Sequence, residues 1–186
     1  MNKQYQILLE RLLFSSDDLV YNMDQWLNSS DGKLFITGYT GSGKSTLASK
    51  FSKKYNVKHI ELDDYIPVDV NKVKRLRSEN KFKELQLYFD KISNKAINDL
   101  LNSKDKLIIE GIQIFLFNDL NKFKEHSIII TGTSALKSFY RAVKRNLNSD
   151  WSEKYSFFEV VDDVYYNLFI KKVEYFIKLV KKWKNE

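Results

Sequence analysis

Four short apolar runs, most of them rich in β-branched residues, interrupt a chain whose remaining pattern is mainly helical: LFIT at 34–37, VKHIEL at 57–62, KLIIEGI at 106–112 and SIIIT at 127–131. Runs this short, separated by helical stretches, read as strands of a parallel sheet. Between them the apolar positions recur every three or four residues. Leu47, Phe51 and Tyr55 mark one helix; Leu85, Tyr88, Ile92, Ala96 and Leu100 mark a longer segment over about 70–102. The first thirty residues read as helical, with Ile7, Leu8, Leu12, Leu19, Met23, Trp26 and Leu27 at helical spacing, and SSDG at 29–32 ends them as a turn. From Ser134 onward only helical periodicity is legible.

Strands alternating with helices predict an α/β fold of three layers, α/β/α, around a parallel sheet of four to five strands, with extra helices at both ends. No apolar run follows Asp150, so a fifth strand is expected to be missing or replaced. No repeat, low-complexity tract or Gly/Ser/Pro-rich linker divides the chain, and 186 residues suit one domain. Within it we distinguish an N-terminal helical extension (1–32), a lid-like segment (134–150) and C-terminal helices (155–186).

Three of the six glycines fall within GYTGSGKS at 38–45, which fits G-x-x-x-x-G-K-[ST], the phosphate-binding loop. A buried strand precedes it and a helix follows, the arrangement in which backbone N–H groups and a helix N-terminus converge on an anion. Gly38, Tyr39, Thr40, Gly41, Ser42, Gly43, Lys44, Ser45 and Thr46 are therefore the candidate nucleotide-binding residues. Gly38, Gly41 and Gly43 free the backbone to wrap phosphates. Lys44 would place a charge between the β- and γ-phosphates, and the Ser45 hydroxyl suits Mg²⁺. ATP and Mg²⁺ are the implied cofactors.

Composition narrows the chemistry further. Cysteine is absent, which excludes disulfides, thiolate metal sites and cysteine nucleophiles, and with only two histidines a dedicated zinc site is not expected. No apolar stretch is long enough to span a bilayer, since LIIEGIQIFLF at 107–117 is short and carries Glu110. A soluble, cytoplasmic protein with no membrane partner is expected. The net charge of +7 suits nucleotide phosphates, but basicity alone does not choose between these, nucleic acid and anionic lipid.

Three more segments sit at the C-terminal ends of predicted strands, where open α/β sheets bind ligands. In ELDDYIP at 61–67, Asp63 could accept a proton from an acceptor hydroxyl or order water on Mg²⁺, although an acidic turn before Pro67 would look the same. In LIIEGI, Glu110 interrupts a run that otherwise wants to be buried, so it is placed at the strand exit, facing a metal, water or substrate hydroxyl. In SALKSFYRAVKRNLNSD at 134–150, Arg141, Lys144 and Arg145 share one helical face that could close over a transferring phosphoryl group, or simply be solvated.

GYTGSGKST, LDDYI, IIEG and RAVKR, in this order, resemble the uridine kinase-like nucleoside kinases, a group to which pantothenate kinase and phosphoribulokinase are related. The resemblance covers about 34–150. It implies a P-loop kinase fold with five parallel strands and Mg-ATP-dependent phosphorylation of a small-molecule hydroxyl, with a nucleoside such as uridine as first acceptor. It further implies Asp63 as base, Tyr65 as its aromatic neighbour at the substrate, Glu110 on metal water or substrate, and Arg141 and Arg145 as lid arginines. Ser45 would hold the metal, with Asp63 or Glu110 acting through water. Where the group continues its lid with an Arg-Asp pair, this chain has Asn148, Ser149 and Asp150.

Two alternatives were weighed. A GTPase would show D-x-x-G after the third strand and N-K-x-D after a later one, and neither is present. A P-loop ATPase or nucleic-acid-binding regulator draws on the lysine-rich end, KKVEYFIKLVKKWKNE. There Val173, Phe176, Ile177, Val180 and Trp183 form one face, which we read as packing on the domain, so a nucleic-acid partner is not expected. A homo-oligomer is compatible with the sequence, which does not specify one.

Overall fold

The computed structural model describes residues 18–39, 41–132 and 163–186, with side chains from 171 onward in the last segment. The expected strands form within a residue or two of their apolar runs: β2 (Lys33–Gly38), β3 (Lys58–Glu61), β4 (Leu107–Glu110) and β5 (Ser127–Thr131). All four run parallel, with β2 between β4 and β5 and β3 outside β4. Every residue of β2, β4 and β5 is buried, which is why their sequences read as unbroken apolar runs.

A fifth strand is present, but it comes from the other end of the chain. Leu19–Tyr21, expected to be helical, forms β1 and pairs antiparallel with β5, giving the order β1-β5-β2-β4-β3. Three residues give periodicity too little length to tell strand from helix, and the open edge of β5 decides it by supplying backbone partners. The helical reading holds only for α1 (Met23–Asn28), and residues 1–17 lie outside the described residues.

One face of the sheet carries α1 and α2 (Lys44–Tyr55). Trp26, Leu47, Ala48 and Phe51 pack there on Leu34, Ile36, Ile108 and Ile129. On the other face, the alternate strand residues Phe35, Ile109, Ile128 and Ile130 cluster with Ala96, Ile97, Phe115 and Phe123 and with Val173 and Phe176 of the C-terminal helix. The segment read as one helix over 70–102 is two: α4 (Val70–Ser78) and α5 (Phe82–Leu101), broken at Asn80, whose φ of 55° is left-handed. They follow a single helical turn, α3 (Leu62–Tyr65). Two 3-10 turns, Ile112–Leu116 and Leu120–Glu125, replace the helix expected between β4 and β5.

The C-terminal helix α6 (Asp163–Asn185) buries Val173, Phe176, Val180 and Trp183 against the sheet, with Ile177 partly covered, as its apolar stripe predicts. Phe176 meets Phe115 and Phe123 edge-on, and Trp183 lies 5.7 Å from the Tyr21 ring on β1. Lys171, Lys178, Lys181, Lys182 and Lys184 are on its exposed side. Two lysines tie the opposite, N-terminal edge of the sheet. Lys33 Nζ donates to the carbonyls of Asp31, Ser103 and Asp105, and Lys106 Nζ to those of Leu27 and Ser29. No helix among the described residues is long and apolar enough to cross a membrane.

Candidate active site

Strand β2 ends in the glycine loop, and the loop feeds α2. Gly38, Gly41 and Gly43 have φ of 145°, 77° and 94°, conformations that side chains rarely adopt. At Gly38 space is limiting as well: a Cβ would collide with Thr131 Oγ1 and come within 2.9 Å of Ser42 Oγ and the Thr131 carbonyl. Gly43 caps α2 without a side-chain acceptor, and no acidic residue occupies the first turn. The helix therefore directs unshielded N–H groups and the positive end of its dipole at the loop. Lys44 is buried and its Nζ donates to the Tyr39 carbonyl at 3.1 Å, lying back along the loop. Thr46 is exposed at the start of α2, and Thr40 lies outside the described residues.

Hydroxyl groups link the loop to both neighbouring strands. Thr37 Oγ1 donates to the Gly111 carbonyl beyond β4 (2.9 Å), Thr131 Oγ1 to the Thr37 carbonyl (3.1 Å), and Ser42 Oγ is hydrogen-bonded to Thr131 Oγ1. Gly38 and Thr131 close β2 and β5 at one level, with Thr37 one residue before, so the loop is anchored where the three central strands end.

Ser45, exposed on the first turn of α2, donates to Glu110 Oε1 at 3.1 Å. Glu110 is the last residue of β4, only 5% exposed. Its other oxygen, Oε2, faces His59 Nε2 at 3.5 Å, and neither atom has an aligned hydrogen-bond partner among the described residues. Register explains the grouping. Glu61 pairs with Glu110 across β3 and β4, and His59, two residues earlier, shares their face. Burial first, and then the charge of Glu110, makes Glu61 hold its proton more tightly than an ordinary glutamate, with His59 opposing.

Asp63 lies in α3, exposed, and Gln113 Nε2 donates to its Oδ1. Gln113 is buried in the 3-10 turn after β4, and its Oε1 has no hydrogen-bond partner among the described residues. Tyr65 is 43% exposed on the same turn as Asp63. Beyond it, α4 and α5 form a helical hairpin around Val73, Leu76 and Leu85, where Tyr88 packs on Phe89 and beneath the Lys72 ammonium. Arg141 and Arg145, and the whole lid-like segment, lie outside the described residues.

The fold thus brings Ser45 and Glu110 together at one point, and gives Asp63 a different partner. The sequence reading missed His59, Glu61, Gln113 and Thr131. Glu61 and His59 had no signal in the sequence alone, because their level with Glu110 comes from the β3–β4 register. Gln113 had none, since nothing local says that the turn after Gly111 folds back toward α3.

Comparison with known proteins extends this geometry. A stretch of 58 residues is 45% identical to a shikimate kinase of Bacteroides thetaiotaomicron, covering 29% of this chain and 33% of that protein. A shikimate kinase of Macrococcus caseolyticus is 22% identical over 132 residues, 70% of this chain and 76% of that protein. The chain thus spans about a third of the first relative and three quarters of the second. Both relatives carry the name of a kinase, in keeping with the P-loop kinase resemblance in its broad form. Residues 37–137, more than half of the chain and including the glycine loop, match the family described as AAA domain, and the chain belongs to that family.

Proposed function

We propose that the protein is a small-molecule kinase that transfers the γ-phosphate of ATP to an alcohol. The observation that carries this reading is the pairing of the glycine loop with Ser45 and Glu110 at the C-terminal edge of the sheet. Hydroxyl and carboxylate oxygens are the donors that a hard cation prefers, so Ser45 and Glu110 fit Mg²⁺ and would hold it. When bound, the ion supplies neutralising charge at the phosphates.

The chain's own groups would do the rest. Backbone N–H groups of the loop and the start of α2 cradle the phosphates, and Lys44 leaves the Tyr39 carbonyl to meet them. Asp63, held by Gln113, accepts the proton of the acceptor hydroxyl as its oxygen attacks the γ-phosphorus and ADP departs. Arg141 and Arg145 close over the transferring group. Catalysis is then positioning plus charge stabilisation.

Two acceptors lead. The motif resemblance favours a nucleoside such as uridine, and the relatives' name favours shikimate; sequence overlap with two shikimate kinases gives the latter more support. The test is coupled ADP release from Mg-ATP with shikimate, uridine, simple sugars and pantothenate as separate acceptors, using Lys44→Ala as blank. Acceptor-dependent ADP release supports a kinase. Equal release without acceptor would replace it by a P-loop ATPase.

A further inference from the structure

We propose that His59, Glu61 and Glu110 form a binding site for a divalent first-row transition-metal ion, distinct from the nucleotide's Mg²⁺. One ligand atom from each residue lies within 4.8 Å of the others. Ligands about 2.1 Å from a shared tetrahedral ion are separated by about 3.4 Å, so side-chain rotations that close the widest pair by up to about 1.4 Å complete the set.

The independent observation is Glu110. It is 95% buried by its 5% exposure, and its Oε2 points toward the cluster with no donor among the described residues aimed at it. His59 Nε2 is equally without an aligned partner there and faces that oxygen at 3.5 Å. These two buried atoms, with a second carboxylate in register beside them, gather nitrogen and oxygen donors of the kind a cation binds at one point. The β3–β4 pairing fixes this geometry by backbone hydrogen bonds, so no loop has to be ordered to assemble it.

The donor set chooses the ion. Mg²⁺ takes oxygen ligands and keeps its waters, whereas an imidazole with two carboxylates suits zinc-like ions and leaves a fourth position open. Glu110 can serve both sites, one oxygen toward Ser45 and the other toward His59. The composition, with two histidines and no cysteine, speaks against a dedicated zinc site that relies on nitrogen and sulfur ligands. A three-ligand site built with carboxylates needs only one histidine.

The test uses full-length protein stripped with a chelator and titrated with ZnCl₂ by calorimetry, without nucleotide and in the presence of millimolar Mg²⁺. One equivalent should bind. His59→Ala and Glu61→Gln should each weaken it at least about 100-fold, with thermal melting to confirm folding, and Ser45→Ala should leave it intact. Glu61 is exposed, so Glu61→Gln keeps the test decisive if His59→Ala fails to fold. Absence of heat, displacement by Mg²⁺, or unchanged affinity in Glu61→Gln would overturn the proposal.

Discussion

Ser45 and Glu110, 65 residues apart in sequence, meet through a hydrogen bond of 3.1 Å between the first turn of α2 and the last residue of β4. This contact couples the glycine loop to the neighbouring strand at the point where a nucleotide's metal would sit. Ser45→Ala removes the hydroxyl and leaves Glu110 buried with one fewer donor. Turnover should fall about 100- to 1000-fold, in the range of losing one preorganised transition-state donor, and the Mg²⁺ concentration for half-maximal rate should rise. Steady-state assays over a Mg²⁺ series would measure both. An unchanged Mg²⁺ dependence would remove Ser45 from the metal site.

Asp63 and Gln113 make a separable prediction. Asp63→Asn should retain ATP binding yet lose transfer by about 100- to 10,000-fold, the usual contribution of a positioned general base. Gln113→Leu keeps the carboxylate but frees it to rotate, so kcat should drop by less. Binding of a fluorescent ATP analogue together with kcat distinguishes the two. Full activity in Asp63→Asn would refute the base assignment.

Gly38 and Gly43 both have positive φ, but only Gly38 is also crowded. Gly43→Ala meets no atom within 4 Å and bears backbone strain alone, about 1–3 kcal/mol. Gly38→Ala bears that strain and must also push Thr131 away from the loop. Its melting temperature should therefore fall further, at about 2–4 °C per kcal/mol for a chain of this size. Equal Tm losses in the two variants would contradict the crowding.

His126 gives the fold a measurable dependence on acid. Burial, and next the positive charge of Lys33, lower its proton affinity below the ordinary value of 6.5, only partly offset by Glu125. The unfolded chain takes up that proton as pH drops through 6.5, while the native state resists until lower pH. Stability from this group is therefore complete above about 6.5 and lost progressively below it. Thermal melts at pH 7.5 and 5.5 should show the decline, and His126→Phe, beside Phe35, should flatten it.

The legibility of this protein followed the range of the interactions involved. Three of the parallel strands, β2, β4 and β5, were readable because each is buried on both faces, and the glycine loop because its chemistry is local and contiguous. β1 was misread because its identity rests on pairing with Ile128–Ile130, more than 100 residues away. The break between α4 and α5 depended on one left-handed asparagine, which resembles any other polar residue in a helical window. At the site, Glu110 was conspicuous as a charge in an apolar run. His59 and Glu61 became visible only once the β3–β4 register placed them beside it.

The borrowed edge strand also governs how this molecule can be trimmed. Val20 and its neighbours occupy the backbone groups along the outer side of Ile128–Ile130, and Asp18 accepts from the Gly132 amide just past them. A version starting after Asn22 would leave that row of amides and carbonyls bare, ready to recruit a strand from another molecule. Self-association of such a shortened form would come from the lost seam, with the nucleotide loop two strands inward left intact.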